Sequence, residues 1–422
     1  MSFKSIDISG GVSILNISDD RFKTNLLSVV FLTPLDREAV SKNAIIPQLL
    51  RRRCAAYPDF TALNMRLNEL YGARLSADVS RIGDYQLLTL SVAAIDDRYA
   101  LNGESVMGDC ADLLSNILFK PYFEDGLFSD EDFSQERRQL IEEIQSEINE
   151  KRMYARIRAS EIMCEGEPCS IHPLGKQSDA EVLTREAVTE QYKTLLKTAF
   201  VKIMMIGGAD SAGISEKFKS AFAKIKREPI TLKPSLVKSG VESIREATER
   251  MELSQAKLVL GFRTGVSIPD GDTVALKLMT ALLGGTPHSR FFVNVREKLS
   301  LCYYCAAGAD KLNGVVTVDS GLEEDNKEKA VAEILRQIEI VQRGEFEDDE
   351  LIATKMSLSN SFMTATDSQG SLLSFYLGQI MDKELYSPEQ MADMITSVQK
   401  DRVVEAAKKL VLDTVYLLAG KE

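Results

Sequence analysis

The chain has 422 residues, 44% hydrophobic and 27% charged, the balance of a globular protein of two or three domains and not of a disordered or collagen-like chain. There are 51 Lys and Arg against 63 Asp and Glu, a net charge of -12, which repels phosphate backbones and argues against nucleic-acid binding. With only His172 and His288, no zinc site can be built on two neighbouring histidines.

From the N-terminus, MSFKSIDISGGVSILNI lacks the basic and apolar regions of a targeting segment. Apolar runs such as 203–206 and 415–418 fall far short of the ~18 residues a membrane span requires. Six cysteines are scattered along the chain, as expected of reduced thiols. A cytoplasmic protein is therefore expected, with no membrane partner.

A strand is predicted over 26–32 and a helix over 44–53, followed by a second helix ending at LNELYGA. Two alternating runs, ARLSADVS and YQLLTLSV, are spaced like a hairpin. A third helix is expected near 98–117. The segment GLFSDEDFSQERRQLIEEI (126–144) opens with carboxylates that favour a helix N-terminus. LTREAVTEQYKTLLKTAFVKIMMIGG (183–208) reads as a helix and then a short strand ending in glycine. KREPITLKPSLVKSGVESIREATERM (226–251) carries two prolines and little apolar periodicity, so it reads as a linker.

After the linker the same elements return in the same order. A strand over 257–262 and a helix over 273–283 lead to a helix ending at VREKLSL. The runs YYCAAGA and GVVTVDSG form the second hairpin, and a third helix covers 326–341. GEFEDDELIATKMSLSNSF (344–362) matches the acidic helix of the first half, and SVQKDRVVEAAKKLVLDTVYLLAG (397–420) matches the helix and strand at 183–208. An internal repeat of this length divides the chain. The expected fold is α+β: two homologous domains, 1–225 and 251–422, joined by a linker at 226–250, each an antiparallel sheet flanked by several helices.

The stretch LLGGTPHSRFFVNVREKLSLCYY (282–304) resembles the second-domain signature of pitrilysin/insulinase-type metallopeptidases, the inverzincins. YPDFTALNMRLNELYGA, the pair Glu142 and Glu143, and HPLG at 172–175 add to the likeness in the first half. The family's catalytic motif is H-x-x-E-H, in which two histidines one turn apart hold zinc and the glutamate activates its water. By position it should fall within 44–53, where this chain reads AIIPQLLRRR, without His, Glu or Cys and with Pro47 interrupting the turn. Glu143 is left as a vestige of the third metal ligand.

The resemblance implies a half-clamshell fold and a chain without catalytic residues or bound metal. It is similar to the zinc-less subunits of mitochondrial processing peptidase and of bacterial heterodimers. The family's Arg and Tyr would here be Arg296 and Tyr303, whose guanidinium and phenol can donate to a peptide carbonyl. The implied partners are an unfolded peptide and a zinc-bearing subunit carrying H-x-x-E-H. Two alternatives stand beside this: a stand-alone homodimeric peptide-binding pseudoenzyme, and a metallopeptidase with unusual ligands such as Glu143 with Cys164 or Cys169.

Other residues have plainer readings. Cys302 and Cys305 form a C-x-x-C, a pattern used in redox and zinc sites. On a β-rich stretch, however, the spacing should put the sulfurs on opposite faces. Cys164, Cys169 and His172 could clasp a metal but lack an obvious fourth ligand; buried thiols and a loop histidine are expected. His288 reads as a polar turn residue, IGGAD (206–210) as a strand-end turn, and Arg51, Arg52 and Arg53 as a solvated helix face. The apolar residues Phe133, Leu140, Ile141, Ile144 and Ile148 place Glu142 and Glu143 on one amphipathic helix.

Overall fold

A computed structural model describes residues 2–209, 211–268 and 271–421. The chain folds as two compact units, Met1–Gln145 with Ile171–Leu232, and Ser146–Ser170 with Lys233–Glu422.

The first unit holds a six-stranded sheet in the order Ser2–Ser9, Val12–Ser18, Phe200–Gly207, Thr24–Pro34, Tyr85–Ile95, Arg74–Ile82. Thr24–Pro34 and Tyr85–Ile95 are nearly continuous apolar runs, buried along most of their length, as central strands require. Helices Val40–Arg52, Val106–Phe119 and Arg185–Thr198 supply Ile45, Leu49, Leu114, Ile117, Val188 and Leu195 to one core with the sheet. The third helix starts later than the sequence suggests, because Asp96 and Asp97 first fold the chain into a short turn, with Asp96 accepting from the Arg98 amide.

The second unit repeats this order. Its sheet runs Tyr304–Asp310, Val315–Leu322, Ala256–Arg263, Val411–Gly420, Arg245–Met251. Read from the Arg74–Ile82 edge, the first sheet has the same sequence of strands plus one extra, Ser2–Ser9. The repeat is thus a repeat of topology. Both sheets are mixed and not wholly antiparallel: Val12–Ser18 lies parallel to Phe200–Gly207, and Arg245–Met251 parallel to Val411–Gly420. These partners are separated by most of a domain, so no tight hairpin forces them antiparallel.

Two segments depart from the expected division at 225 and 250. Arg245–Met251 pairs as an edge strand inside the expected linker. Lys151–Met163 forms a helix that packs on the second sheet, setting Ala155 and Ala159 against Val259, Tyr416 and Leu418. Upstream, the acidic helix closes at Ser146, which leaves Ile148 exposed beyond its end. No helix among the described residues is long and apolar enough to cross a membrane.

Candidate functional site

The segment where a metal motif would fall is helical throughout Val40–Arg52, and Pro47 does not break it. Burial of Ile45, Ile46, Leu49 and Leu50 around it offsets the lost backbone bond. Those four side chains are hydrocarbon; the buried polar Asn43, one turn earlier, donates to Gln86 at 2.9 Å. Gln48 donates to the Ala77 carbonyl at 3.4 Å.

The end of this helix is basic, and the expected solvated face is only partly there. Arg51 is exposed, but Arg52 donates to Asp132 at 2.7 Å, Glu136 at 2.9 Å and Gln135 at 2.9 Å. Arg53 donates to Asp132 at 2.5 Å and to Ser129 at 2.7 Å, and its guanidinium stacks 4.5 Å from the Tyr122 ring. Asp132 and Glu136 of the acidic helix Asp130–Ser146 are therefore matched by guanidinium forks, which are fixed cations. Glu143, further along, is exposed; surrounding protein and the Asp78 carboxylate push its carboxyl above the usual range. One such carboxylate, with no His, Glu or Cys at 44–53 to join it, does not fit a catalytic zinc.

In the second unit, Arg296 sits in a wide, π-type turn of helix, Phe292–Lys298, a geometry that recurs at functional sites. The preceding Arg290 anchors that turn, bonding Glu350 at 2.7 and 2.9 Å and Gln337 at 3.0 Å. Arg296 itself lacks such a lock. Its guanidinium stacks 4.6 Å from the Phe292 ring and approaches Glu297 only to 3.5 Å. Ser300, at φ 50°, turns the chain so that Tyr303 and Cys302 follow beside it.

Arg296, Cys302, Tyr303, Glu323 and Asn326 line one open cavity of about 370 Å³. The Tyr303 hydroxyl donates to Glu323 at 2.9 Å, and that bond raises its pKa. Tyr304 takes the other direction: its ring stacks under the Arg152 guanidinium at 4.2 Å. The structure thus brings Arg296 and Tyr303 to one open site, the guanidinium without a close carboxylate and the phenol bonded to Glu323.

Cys302 and Cys305 are not on opposite faces. Both are buried, and their thiols are in hydrogen-bond contact, with the Cys305 bond pulling the Cys302 thiol below its usual value. Strand alternation does not apply, because Tyr304–Asp310 begins only after Cys302. This contact gave no signal in the sequence beyond the C-x-x-C itself.

Cys164 and Cys169 do converge, with Glu167 and not His172 as the third ligand-type group, all within 4.8 Å. Glu167 is already bonded by Arg263 at 2.6 and 2.9 Å and by Lys238 at 2.9 Å. Two cations on the one carboxylate make a poor cradle for another. His172 accepts from the Leu174 amide at 3.3 Å, and burial with the Arg81 charge lowers its pKa to about 4. His288 is exposed. In IGGAD, Gly207 ends its strand against Asn25, which accepts from the Ala209 amide at 3.0 Å. The turn's amide at Ala209 is thus already taken by a side chain; Asp210 lies outside the described residues.

Residues 183–358 match the family described as the peptidase M16 inactive domain, M16 being the pitrilysin/insulinase type. This segment of the chain is therefore similar to M16 peptidases, in the domain described as inactive. Across 98% of its length and 97% of the relative's, the chain is 29% identical to the probable inactive metalloprotease YmfF of Bacillus subtilis (strain 168). Its fold is similar to a conserved protein from Enterococcus faecalis V583, with TM-score 0.91, 28% identity and 99% of each chain covered. A protease from Helicobacter pylori shares the fold at TM-score 0.82 and 14% identity, again with 99% of each chain covered. The matched residues take in the π-type turn and Tyr303, while the helix Val40–Arg52 lies outside them.

Proposed function

We propose that this chain is the non-catalytic half of a two-chain M16 peptidase, binding unfolded peptide and completing the chamber of a zinc-bearing partner that carries H-x-x-E-H. One observation carries the reading. The helix that would bear the metal offers the apolar side chains of Ile45, Ile46, Leu49 and Leu50 and ends in arginine–carboxylate bonds, while Arg296 and Tyr303 line one open cavity. A guanidinium can donate to a peptide carbonyl, as can the phenol once it turns from Glu323, and where a bound chain excludes water such bonds strengthen as the oxygen gains charge.

The experiment is co-purification of the tagged full-length chain from its native extract, followed by peptide cleavage assays on the complex. A stoichiometric H-x-x-E-H partner is expected, with cleavage falling about tenfold or more on Arg296→Ala or Tyr303→Phe, the scale for loss of one transition-state donor. Recovery of only copies of the chain would overturn the two-chain reading in favour of a homodimeric peptide binder. An unchanged cleavage rate in both variants would remove the role given to the pair.

A further inference from the structure

A second cavity, larger than the one at Arg296, lies wholly within the second unit. It encloses about 870 Å³, within the range of pockets that take small ligands. Its wall is formed by helices Thr273–Thr280, Asp348–Thr364, Gln369–Leu377 and Pro388–Ser397 and by strand Tyr304–Asp310. The lining is largely apolar, with Leu358, Phe362, Phe375, Met391 and Met394. Phenyl rings and thioethers adapt to irregular hydrocarbon surfaces.

Two of the cations around this space are held in ion pairs. Lys311 bonds Asp382 at 3.0 Å, and Arg402 forks onto Asp272 with two bonds of 2.8 Å. Lys277 has neither a hydrogen bond nor an ion pair among the described residues. Its ammonium stands 4.3 Å from the Phe362 ring centre as a cation–π contact. The side chain is solvent-accessible yet ringed by protein, and that enclosure, with the Lys311 charge nearby, lowers its pKa to about 8. An ammonium in such a place gains from an incoming anion more than a fully hydrated one does.

We propose that this cavity binds a small amphipathic carboxylate, with its single negative charge on Lys277 and its apolar body among Phe362, Phe375, Met391 and Met394. The headgroup follows from charge matching. Lys277, Lys311, Lys383 and Arg402 face Asp272, Asp382 and Glu384 on the same cavity, a surplus of a single positive charge, which a monoanion neutralises and a dianionic phosphate ester would exceed. The site is separate from the Arg296 cavity and does not depend on the peptide reading.

The probe is decanoate, with decanol as its uncharged counterpart, titrated calorimetrically into the full-length chain at pH 7. Decanoate is expected to bind more tightly than decanol. Lys277→Met should weaken decanoate about tenfold or more, since a hydrogen bond to a charged group is worth at least that factor, and should leave decanol unchanged. Ser374→Phe, at an exposed position on the cavity wall, should weaken both by filling space. Decanoate binding that is undetectable, or equal in wild type and Lys277→Met, overturns the proposal. So does decanoate binding that Ser374→Phe leaves untouched, because the ligand would then sit elsewhere; a folded state confirmed by circular dichroism accompanies each variant.

Discussion

The end of the Val40–Arg52 helix and the Phe292–Lys298 turn each present arginines, and the two regions use them in opposite ways. In the first, Arg52 is 20% exposed and holds Asp132 and Glu136, themselves 10% and 3% exposed. Arg52 and Arg53 both spend their donors on acceptors inside the protein. In the second, Arg296 is 41% exposed and its nearest carboxylate, on Glu297, is 55% exposed at 3.5 Å. A surface pair of that kind contributes little to stability, so its guanidinium is free to serve a ligand. Matched and buried charge holds a fold together; open charge beside a cavity is what remains for recognition.

The comparison breaks most visibly at Arg52. Arg52→Met would leave Glu136 buried with one fewer partner and Asp132 dependent on Arg53 alone. Because stranding a buried carboxylate is costly, the expected loss is about 3 kcal/mol of unfolding free energy. Urea denaturation of the full chain measures it. A change within the error of the wild-type midpoint would mean that this network does not hold the fold together.

A second test acts on the same unit through pH. The folded His172 imidazole has its pKa lowered to about 4, against about 6.5 in an unfolded chain. Between these values the unfolded state binds the proton more readily, so stability rises with pH across that window. His172 therefore contributes fully above about pH 6.5, and its contribution falls as the pH drops towards 4. Part of this is screened at a half-buried ring, which leaves a loss on the order of 2 kcal/mol. Denaturation midpoints at pH 7.5, 6 and 5 should decline more steeply for wild type than for His172→Gln. Parallel curves would show that His172 titrates as if unfolded.

These two tests also show what the sequence could disclose. The order of strands and helices was legible because apolar periodicity and the repeat reinforce each other, as in Thr24–Pro34 and Ala256–Arg263. Arg245–Met251 was hidden in the linker because its sequence, REATERM, has little apolar alternation, and an edge strand needs only backbone pairing. Lys151–Met163 buries chiefly alanines, which give a weak pattern, and its allegiance to the second unit is a tertiary fact. At the site, the chain's lack of a metal motif was plain from AIIPQLLRRR. The bonds from Arg52 to Asp132 and Glu136 span 80 and 84 residues, and no local pattern encodes such a pairing.

The open region is sharpened by its thiols. Cys302 lines the Arg296 cavity, and the Cys305 bond lowers its pKa, with Ser320 and the Arg296 charge acting in the same direction. Cys110 lies at the other extreme, where burial raises its thiol to about 12. As the thiolate is the nucleophile, iodoacetamide at pH 7.5 should modify Cys302 ahead of the other five cysteines and Cys110 among the last. Peptide mass spectrometry over a time course reads the order. Cys305→Ser should slow the Cys302 reaction, and equal rates for Cys302 and Cys54 would count against an activated thiol.

The smallest expected effect on stability is the most informative about function. Arg296→Ala and Tyr303→Phe remove exposed groups whose internal partners, Glu297 and Glu323, can turn to water. Each should therefore change unfolding free energy by less than about 0.5 kcal/mol, against the several-fold larger cost at Arg52. Thermal and urea denaturation of the two variants check this directly. A loss comparable to that of Arg52→Met would show that Arg296 or Tyr303 holds the fold, and the contrast between the two regions would collapse. If stability is retained, any loss of peptide binding in the same variants can be assigned to the missing donor, because the cavity around it is still standing.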